Sequence, residues 1–405
     1  MTPSLRPLVA AALTFALLPC GAAAAHAPLR KPVTILVSID GFRPDYRARG
    51  VTPNLDALAA GGISAAMRPS FPSKTFPNHT TLVTGLVPDR NGIVANRMLD
   101  ARRPGETFTM ATEDAFWWAD AEPVWIAAEK AGIRTATLFW PGANVEHDGR
   151  RPSDWQQFSM KVSNRQRVDG VIDWLRRPAK TRPAFVTVYF DTVDTAGHEY
   201  GPDSPEVTKA VADVDIAIGQ LRAGLRGLHQ RANLVIVADH GMAAISDERT
   251  VRLDSFADPA DYVVVEDGPF AALNPVAGHE AALAAELAKA PAHVQCWAKD
   301  AIPARFHYGH HPRVPAYLCL AETGWEILAK APRHPIKGGT HGFDNAAPEM
   351  AALFIASGPA IKRLGTIPSF DNVDIEPLLR DLIGLPQGPD RDGSDTPFKA
   401  ALARR

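Results

Sequence analysis

The chain has 405 residues, 46% hydrophobic and 22% charged, with 43 basic against 45 acidic side chains and a formal charge of −2. This composition fits two or three globular units, or one large α/β domain with an insertion. It excludes a disordered chain, a collagen and a disulfide knot, and near-neutrality gives no global reason to bind nucleic-acid polymers or anionic membranes.

The chain opens with Arg6 as its one basic side chain, an apolar stretch over 7–20, and small residues up to Ala27. This is the layout of a secretory signal peptide, and Ala25-His26-Ala27 fits a small-x-small cleavage site. Export to the periplasm or the medium is therefore expected, with 28–405 as the mature chain. Cys20 follows Leu17-Leu18-Pro19, a poor lipoprotein signal because proline stands where a small residue is needed. No later stretch is long and apolar enough to span a bilayer, so no transmembrane anchor is expected. Richness in Ala, Arg and Pro points to a GC-rich bacterial gene. Cys296 and Cys319 remain after cleavage, and in an oxidising compartment they are expected to pair.

Four runs at 33–39, 133–139, 184–190 and 233–238 are short and nearly all apolar, as strands covered on both faces are. Helical patterns separate them. Thr52-Pro53 opens one and Gly61 closes it. Others run over 123–129 and 204–228. A further strand is predicted over 350–356 and a helix over 374–383. Alternating strand and helix predicts an α/β fold with a doubly wound, mostly parallel sheet. Residues 246–337 break the rhythm with strand-like runs at 262–265 and 316–320 and a helix over 278–289. They read as a smaller α+β insertion.

In open α/β sheets ligands bind beyond the carboxyl ends of the strands. The first strand ends in Asp40-Gly41 and the fourth in Asp239-His240-Gly241. The third is followed by Asp194 and His198, four apart and so on one face of a helical turn. His341 lies between glycines in a later loop. Taken singly, Asp40 reads as a helix cap, the Asp194/His198 pair as a surface pair and His341 as a loop residue. Together, three Asp and three His suit a divalent ion, and mixed imidazole and carboxylate ligation fits zinc better than calcium or magnesium. Thr75, in Phe71-Pro-Ser-Lys-Thr75-Phe-Pro-Asn-His79, falls at a predicted helix N-terminus. Free N–H groups and the helix dipole there favour an anion, although a plain N-cap threonine would look the same.

These stretches carry a resemblance. Ser38-Ile-Asp40-Gly-Phe-Arg-Pro-Asp45, Thr52-Pro-Asn-Leu, the Phe71–His79 stretch and Asn91-Gly-Ile-Val-Ala-Asn96 resemble the nucleotide pyrophosphatase/phosphodiesterase family of the alkaline phosphatase superfamily. So do Asp194-Thr-Ala-Gly-His198-Glu-Tyr-Gly-Pro, Asp239-His-Gly-Met and Gly339-Thr-His341-Gly-Phe-Asp-Asn. The motifs stand in the family's order from about residue 33 to 385. The resemblance implies two zinc ions per chain, one held by Asp40, Asp239, His240 and the nucleophile Thr75, the other by Asp194, His198 and His341. It implies Asn96 as a donor to a phosphate oxygen, and Phe76, Trp140, Tyr189 and, on a looser match, Trp155 around the nucleotide. Asn144 stands where some members have aspartate. The implied reaction is hydrolysis of a nucleotide diester or pyrophosphate through a covalent nucleotidyl-threonine. A phosphomonoesterase or a lipid-headgroup phosphodiesterase of the same superfamily is the alternative. A sulfatase lacks its Cys/Ser-x-Pro-x-Arg pattern here, and the intact ligand set argues against a non-catalytic metal-binding protein.

Overall fold

The strand Val33–Ile39 is buried along its whole length. β-branched and aliphatic side chains fill both faces, so it can only lie in the middle of a covered sheet. In the computed structural model, which describes residues 2, 30–332 and 334–403, it is flanked by Ala232–Val237 and Phe185–Phe190, both parallel to it. The signal sequence expected at 1–27, with Cys20, lies outside the described residues except for residue 2.

The nine-stranded sheet runs in the order Gly365–Thr366, Ile63–Arg68, Ala352–Ser357, Ala232–Val237, Val33–Ile39, Phe185–Phe190, Thr135–Leu138 and Asp154–Gln156, with Phe370–Asp371 also on Ile63–Arg68. Only Ala352–Ser357 runs antiparallel to its neighbours. The fold is the doubly wound, mostly parallel α/β fold of alkaline phosphatase-like proteins. All four of the predicted central strands start and stop within two residues of the observed ones. The further strand, predicted over 350–356, begins at Ala352, because Pro348–Met350 forms a 3-10 turn first.

Helices pack on the sheet in two groups. The long helix Pro205–Gly227 packs against Pro53–Ala60, Asn164–Arg176 and Thr192–Tyr200, while Thr75–Thr84 packs with Val124–Lys130 and Ile375–Ile383. A second, antiparallel sheet of Val294–Ala298, Tyr317–Ala321, Phe270–Pro275 and Tyr262–Glu266 follows. Cys296 lies directly opposite Cys319 there, and the two form the expected disulfide. Among the described residues no helix is long and apolar enough to cross a membrane.

One buried charge ties the first helix to the long one. Thr52, before Pro53–Ala60, makes no side-chain cap. Asp215 of Pro205–Gly227, 1% exposed, caps it instead, accepting from the Asn54 and Leu55 backbone N–H groups at 2.8–3.1 Å. A carboxylate at a helix N-terminus satisfies orphan donors and complements the dipole. Asp215→Ala should therefore lower stability by about 3 kcal/mol, the upper range for hydrogen bonds to a charge. Urea unfolding at constant m-value is the check, and a midpoint equal to the parent's contradicts the assignment.

Candidate active site

Parallel pairing brings the carboxyl ends of three strands to one edge. Ile39 pairs with Phe190 and Ser38 with Val237, so the residues that follow them, Asp40, Asp191 and Asp239, emerge side by side. The short helix Thr192–Tyr200 then carries Asp194 and His198 over the same edge. Gly41, at φ 66°, lets the first strand turn against that helix: a Cβ there would sit 3.1 Å from the Asp194 backbone.

The structure collects the predicted ligands. Asp40, Asp239 and His240 form one compact set of donor atoms, and Asp194, His240 and His341 another. His240 thus belongs to both sets, where the sequence assigned it to one. His198 stands at the rim, with Nε2 3.4 Å from Asp194 Oδ2. The three imidazoles share one device. Nδ1–H donates to a backbone carbonyl: Gly241 O for His240, Ser73 O for His341 and Gly339 O for His198, at 2.8–2.9 Å. Each Nε2 lone pair is left to face the carboxylates, the usual arrangement of metal-ligating histidine.

The carboxylates show the complementary deficit. Asp40 Oδ1, Asp194 Oδ1 and Asp239 Oδ2 are buried without a hydrogen-bond partner. Buried polar atoms are rarely orphaned in folded proteins. Burial, then the charges of Asp239 and Asp194, push the Asp40 carboxyl well above its ordinary value. Burial, then neighbouring His240 and Lys74, hold the His341 imidazole well below its own. Burial opposes protonation of His240, but the charge of Asp239 outweighs it and raises that imidazole above its ordinary value. Inward-facing imidazole nitrogens and crowded carboxylates with free oxygens fit a divalent cation.

Two further groups brace this cluster and were not read from the sequence as braces. Tyr189 Oη donates to Asp40 Oδ2 at 2.6 Å. His79 is buried with Nδ1 2.9 Å from Thr75 O and 3.3 Å from Asp239 Oδ2, while Nε2 meets Ser38 Oγ at 2.8 Å. Its place one helical turn after Thr75 was the available signal.

Thr75 is the first residue of the helix Thr75–Thr84, and Lys74, the N-cap, makes no side-chain cap. Asn78 holds the preceding loop: Oδ1 accepts from Ser70 N, and Nδ2 donates to Pro72 O and Lys74 O. Thr75 Oγ1 lies 3.3 Å from His240 Nε2. The nearby hydroxyls of Ser70 and Ser73 are engaged with Asn372 and Phe343. Asn96 Oδ1 accepts from Phe76 N at 3.0 Å, which orients its amide NH2 toward the cavity it lines.

That cavity, of about 560 Å³, joins the ligand cluster to an aromatic chamber. Asp40, Thr75, Asp194, His198 and His341 line it together with Phe76, Trp118, Phe139, Trp140, Phe158 and Tyr189, and with Asn96 and Asn144. Trp140 is 2% exposed and donates Nε1–H to His79 O, so it serves as wall and brace. Trp155 does not line the cavity. Alternation along Asp154–Gln156 turns its ring toward Arg151, while Gln156 and Phe158 face inward. Phe158 is the aromatic the sequence reading missed there.

A family model, type I phosphodiesterase / nucleotide pyrophosphatase, matches residues 34–344. The chain belongs to this family. An uncharacterized pyrophosphatase/phosphodiesterase of Schizosaccharomyces pombe is 35% identical over 375 residues, 88% of this chain and 77% of its own. A bis(5'-adenosyl)-triphosphatase of Xenopus laevis is 34% identical over 92% of this chain and 82% of its own. Rat ectonucleotide pyrophosphatase/phosphodiesterase family member 1 is 35% identical over 90% of this chain, which spans only 42% of that relative. Murine ectonucleotide pyrophosphatase/phosphodiesterase 5, solved as an inactive threonine-to-alanine variant in complex with AMP, superposes with a TM-score of 0.87 at 33% identity, over 92% of this chain and 100% of its own.

The orphaned oxygens generate a test independent of turnover. Purified protein should retain divalent metal through dialysis, as measured by elemental analysis. Asp40→Asn and Asp239→Asn should each lower the metal content, whereas the exposed Asp203→Asn should leave it unchanged. Equal metal content in all four proteins contradicts the site.

Proposed function

We propose that the chain is an exported two-zinc hydrolase that cleaves phosphodiester or pyrophosphate bonds of nucleotides through a covalent nucleotidyl-threonine. The observation that carries this is the position of Thr75 Oγ1, at a helix N-terminus between the buried carboxylate–imidazole cluster and an aromatic-lined cavity. Asp40, Thr75, Asp239 and His240 would hold one ion and Asp194, His198 and His341 the other; bound zinc would supply Lewis-acid activation of hydroxyl and water and neutralise developing charge.

Thr75 Oγ1 attacks phosphorus in line. The P–O bond to threonine forms as the bond to the leaving oxygen breaks; the Thr75 hydroxyl gives its proton to water, and the leaving oxygen takes one from water, so no net proton is gained or lost. A water molecule then adds to phosphorus, the threonine oxygen leaves and is reprotonated, and a nucleoside monophosphate is released. Asn96 Nδ2, fixed by its Oδ1 bond to Phe76 N, donates to an equatorial phosphate oxygen. Phe76 and Phe158 offer ring faces to a base, and the braced Trp140 and Tyr189 close the chamber behind them. The inactivity of the murine threonine-to-alanine variant, and its binding of AMP, support the same assignment. Residues 246–337 read as a smaller α+β insertion, and the disulfide and N-terminal leader support export to the periplasm or medium.

The expected order of effects is specific. Thr75→Ala should keep its zinc and lose several orders of magnitude in hydrolysis of p-nitrophenyl thymidine 5'-monophosphate. Asn96→Ala should raise the barrier by about 2–4 kcal/mol, the loss of one preorganised donor. Phe158→Ala should raise KM, while Trp155→Ala leaves it unchanged. Zinc removal should abolish turnover and zinc should restore it. Steady-state kinetics with parallel metal analysis decide this; a Thr75→Ala protein that is zinc-loaded and active at the parent rate refutes the covalent step.

A further inference from the structure

Arg167 is a charged side chain in the core, 1% exposed, and none of the chemistry above uses it. It projects from Asn164–Arg176, and its guanidinium gathers three segments. Nε donates to Val162 O at 3.0 Å, and Nη1 donates to Tyr189 O at 3.0 Å and to Asp191 Oδ1 at 2.6 Å. Its Cζ also lies 5.0 Å from the ring centroid of Phe139 and 5.8 Å from that of Phe158. Phe158 in turn meets Phe139 and Tyr189 edge-on, at 5.6 and 5.7 Å.

All four of Phe139, Phe158, Tyr189 and Asp191 line the cavity. Phe158 is 45% exposed and lies just past the strand Asp154–Gln156, in no helix or strand. No backbone ladder fixes its ring; the buried cation and the two aromatic rings do. Phe139 holds φ at 67°, a left-handed conformation that is rare for a bulky residue. Such strain persists where the surroundings over-determine it, and the same guanidinium sits on its ring. A buried guanidinium is expensive to desolvate, and an apolar side chain would fill the space at less cost. What an apolar side chain cannot do is bind two carbonyls, a carboxylate and two ring faces at once. Lysine, a point charge without the planar fork, cannot do so fully either.

Building on the nucleotide-hydrolase reading, we propose that Arg167 is a positioning residue that acts through Phe158: it holds the base-stacking wall and so sets the preference for substrates that carry a nucleobase.

The test compares two diesters with the same leaving group: p-nitrophenyl thymidine 5'-monophosphate, which has a base, and methyl p-nitrophenyl phosphate, which has none. The zinc-loaded variants are Arg167→Lys, Arg167→Met, and Arg167→Met with Asp191→Asn, which removes the carboxylate left unpaired. In both Met variants, KM for the nucleotide ester should rise about tenfold, as partial loss of one stacking wall implies, with kcat held within about twofold. Arg167→Lys should fall between these and the parent, and kcat/KM for the methyl ester should not change in any of them. Adding Arg167→Met to Phe158→Ala should cost nothing beyond Phe158→Ala alone, because Arg167 acts through that ring. Equal losses on the two substrates, or an effect fully additive with Phe158→Ala, overturn the proposal and leave Arg167 a general structural residue. A parent enzyme that turns over the methyl ester but shows no preference for the nucleotide ester overturns the nucleotide reading itself.

Discussion

Asp40, Asp194 and Asp239 converge at the end of the sheet, and each keeps a buried oxygen that no protein donor satisfies. Like charges held this close destabilise the fold unless a cation or a proton answers them. The imidazoles answer it only in part: His198, His240 and His341 each spend Nδ1–H on a carbonyl and turn Nε2 inward, and of these His240 is raised above its ordinary value by Asp239 against the effect of burial. The protein has built a deficit of positive charge in its interior. The parallel pairing of the three central strands makes this deficit unavoidable, since it brings their carboxyl ends together. Gly41 permits the close approach of the ligand helix, and Tyr189 and His79 fix the carboxylates that would otherwise repel one another out of register.

Thr75 stands between this charge and a chamber of opposite character. The cavity walls combine carboxylate and imidazole groups with six aromatic rings, and Glu113, Gln156 and Gln157 add polar lining. The Asn96 carbonyl is anchored on the helix Thr75–Thr84, and its amide is thereby committed to the cavity. Geometry of this kind is preorganised: no side chain has to change partner before an anion can be met.

The central strands were legible because uninterrupted apolar runs have one physical use, burial on both faces, and because each run stops at the residue that does chemistry. Other elements gave weaker signals. Ile63–Arg68 reads Ile-Ser-Ala-Ala-Met-Arg, with one β-branched residue, and its place in the sheet comes from pairing with Ala352–Ser357. Asn164–Arg176 had a readable start, the capping box of Ser163 and Gln166, but its polar first turn hid the apolar stripe. Trp155 drew attention by size, whereas its place in the strand turns it toward Arg151, and Phe158, just past the strand end, lines the cavity instead. The sharing of His240 between two donor sets could not be read at all, because ligand spacing along the chain carries no information about distances across it.

The helix Thr75–Thr84 also shows why the second sheet matters to the first. The helix begins without a side-chain cap, which leaves its N-terminus open to an anion but removes the usual means of fixing a helix start. Anchors from outside replace the cap. On one side Asn78, behind the first turn, accepts from Asn372. On the other, Ser73 donates to Phe343 O, and Lys74 lies 3.7 Å from Glu266 and 5.8 Å from the ring centroid of Phe270. Glu266 and Phe270 both belong to the second sheet. Burial raises the Glu266 carboxyl, and the Lys74 cation opposes that rise, so the pair is held as much by the surrounding apolar wall as by its own attraction. The helix start is therefore held from outside, by Asn372, Phe343 and the second-sheet residues Glu266 and Phe270, and of its first-turn N–H groups that of Phe76 is already taken by Asn96 Oδ1.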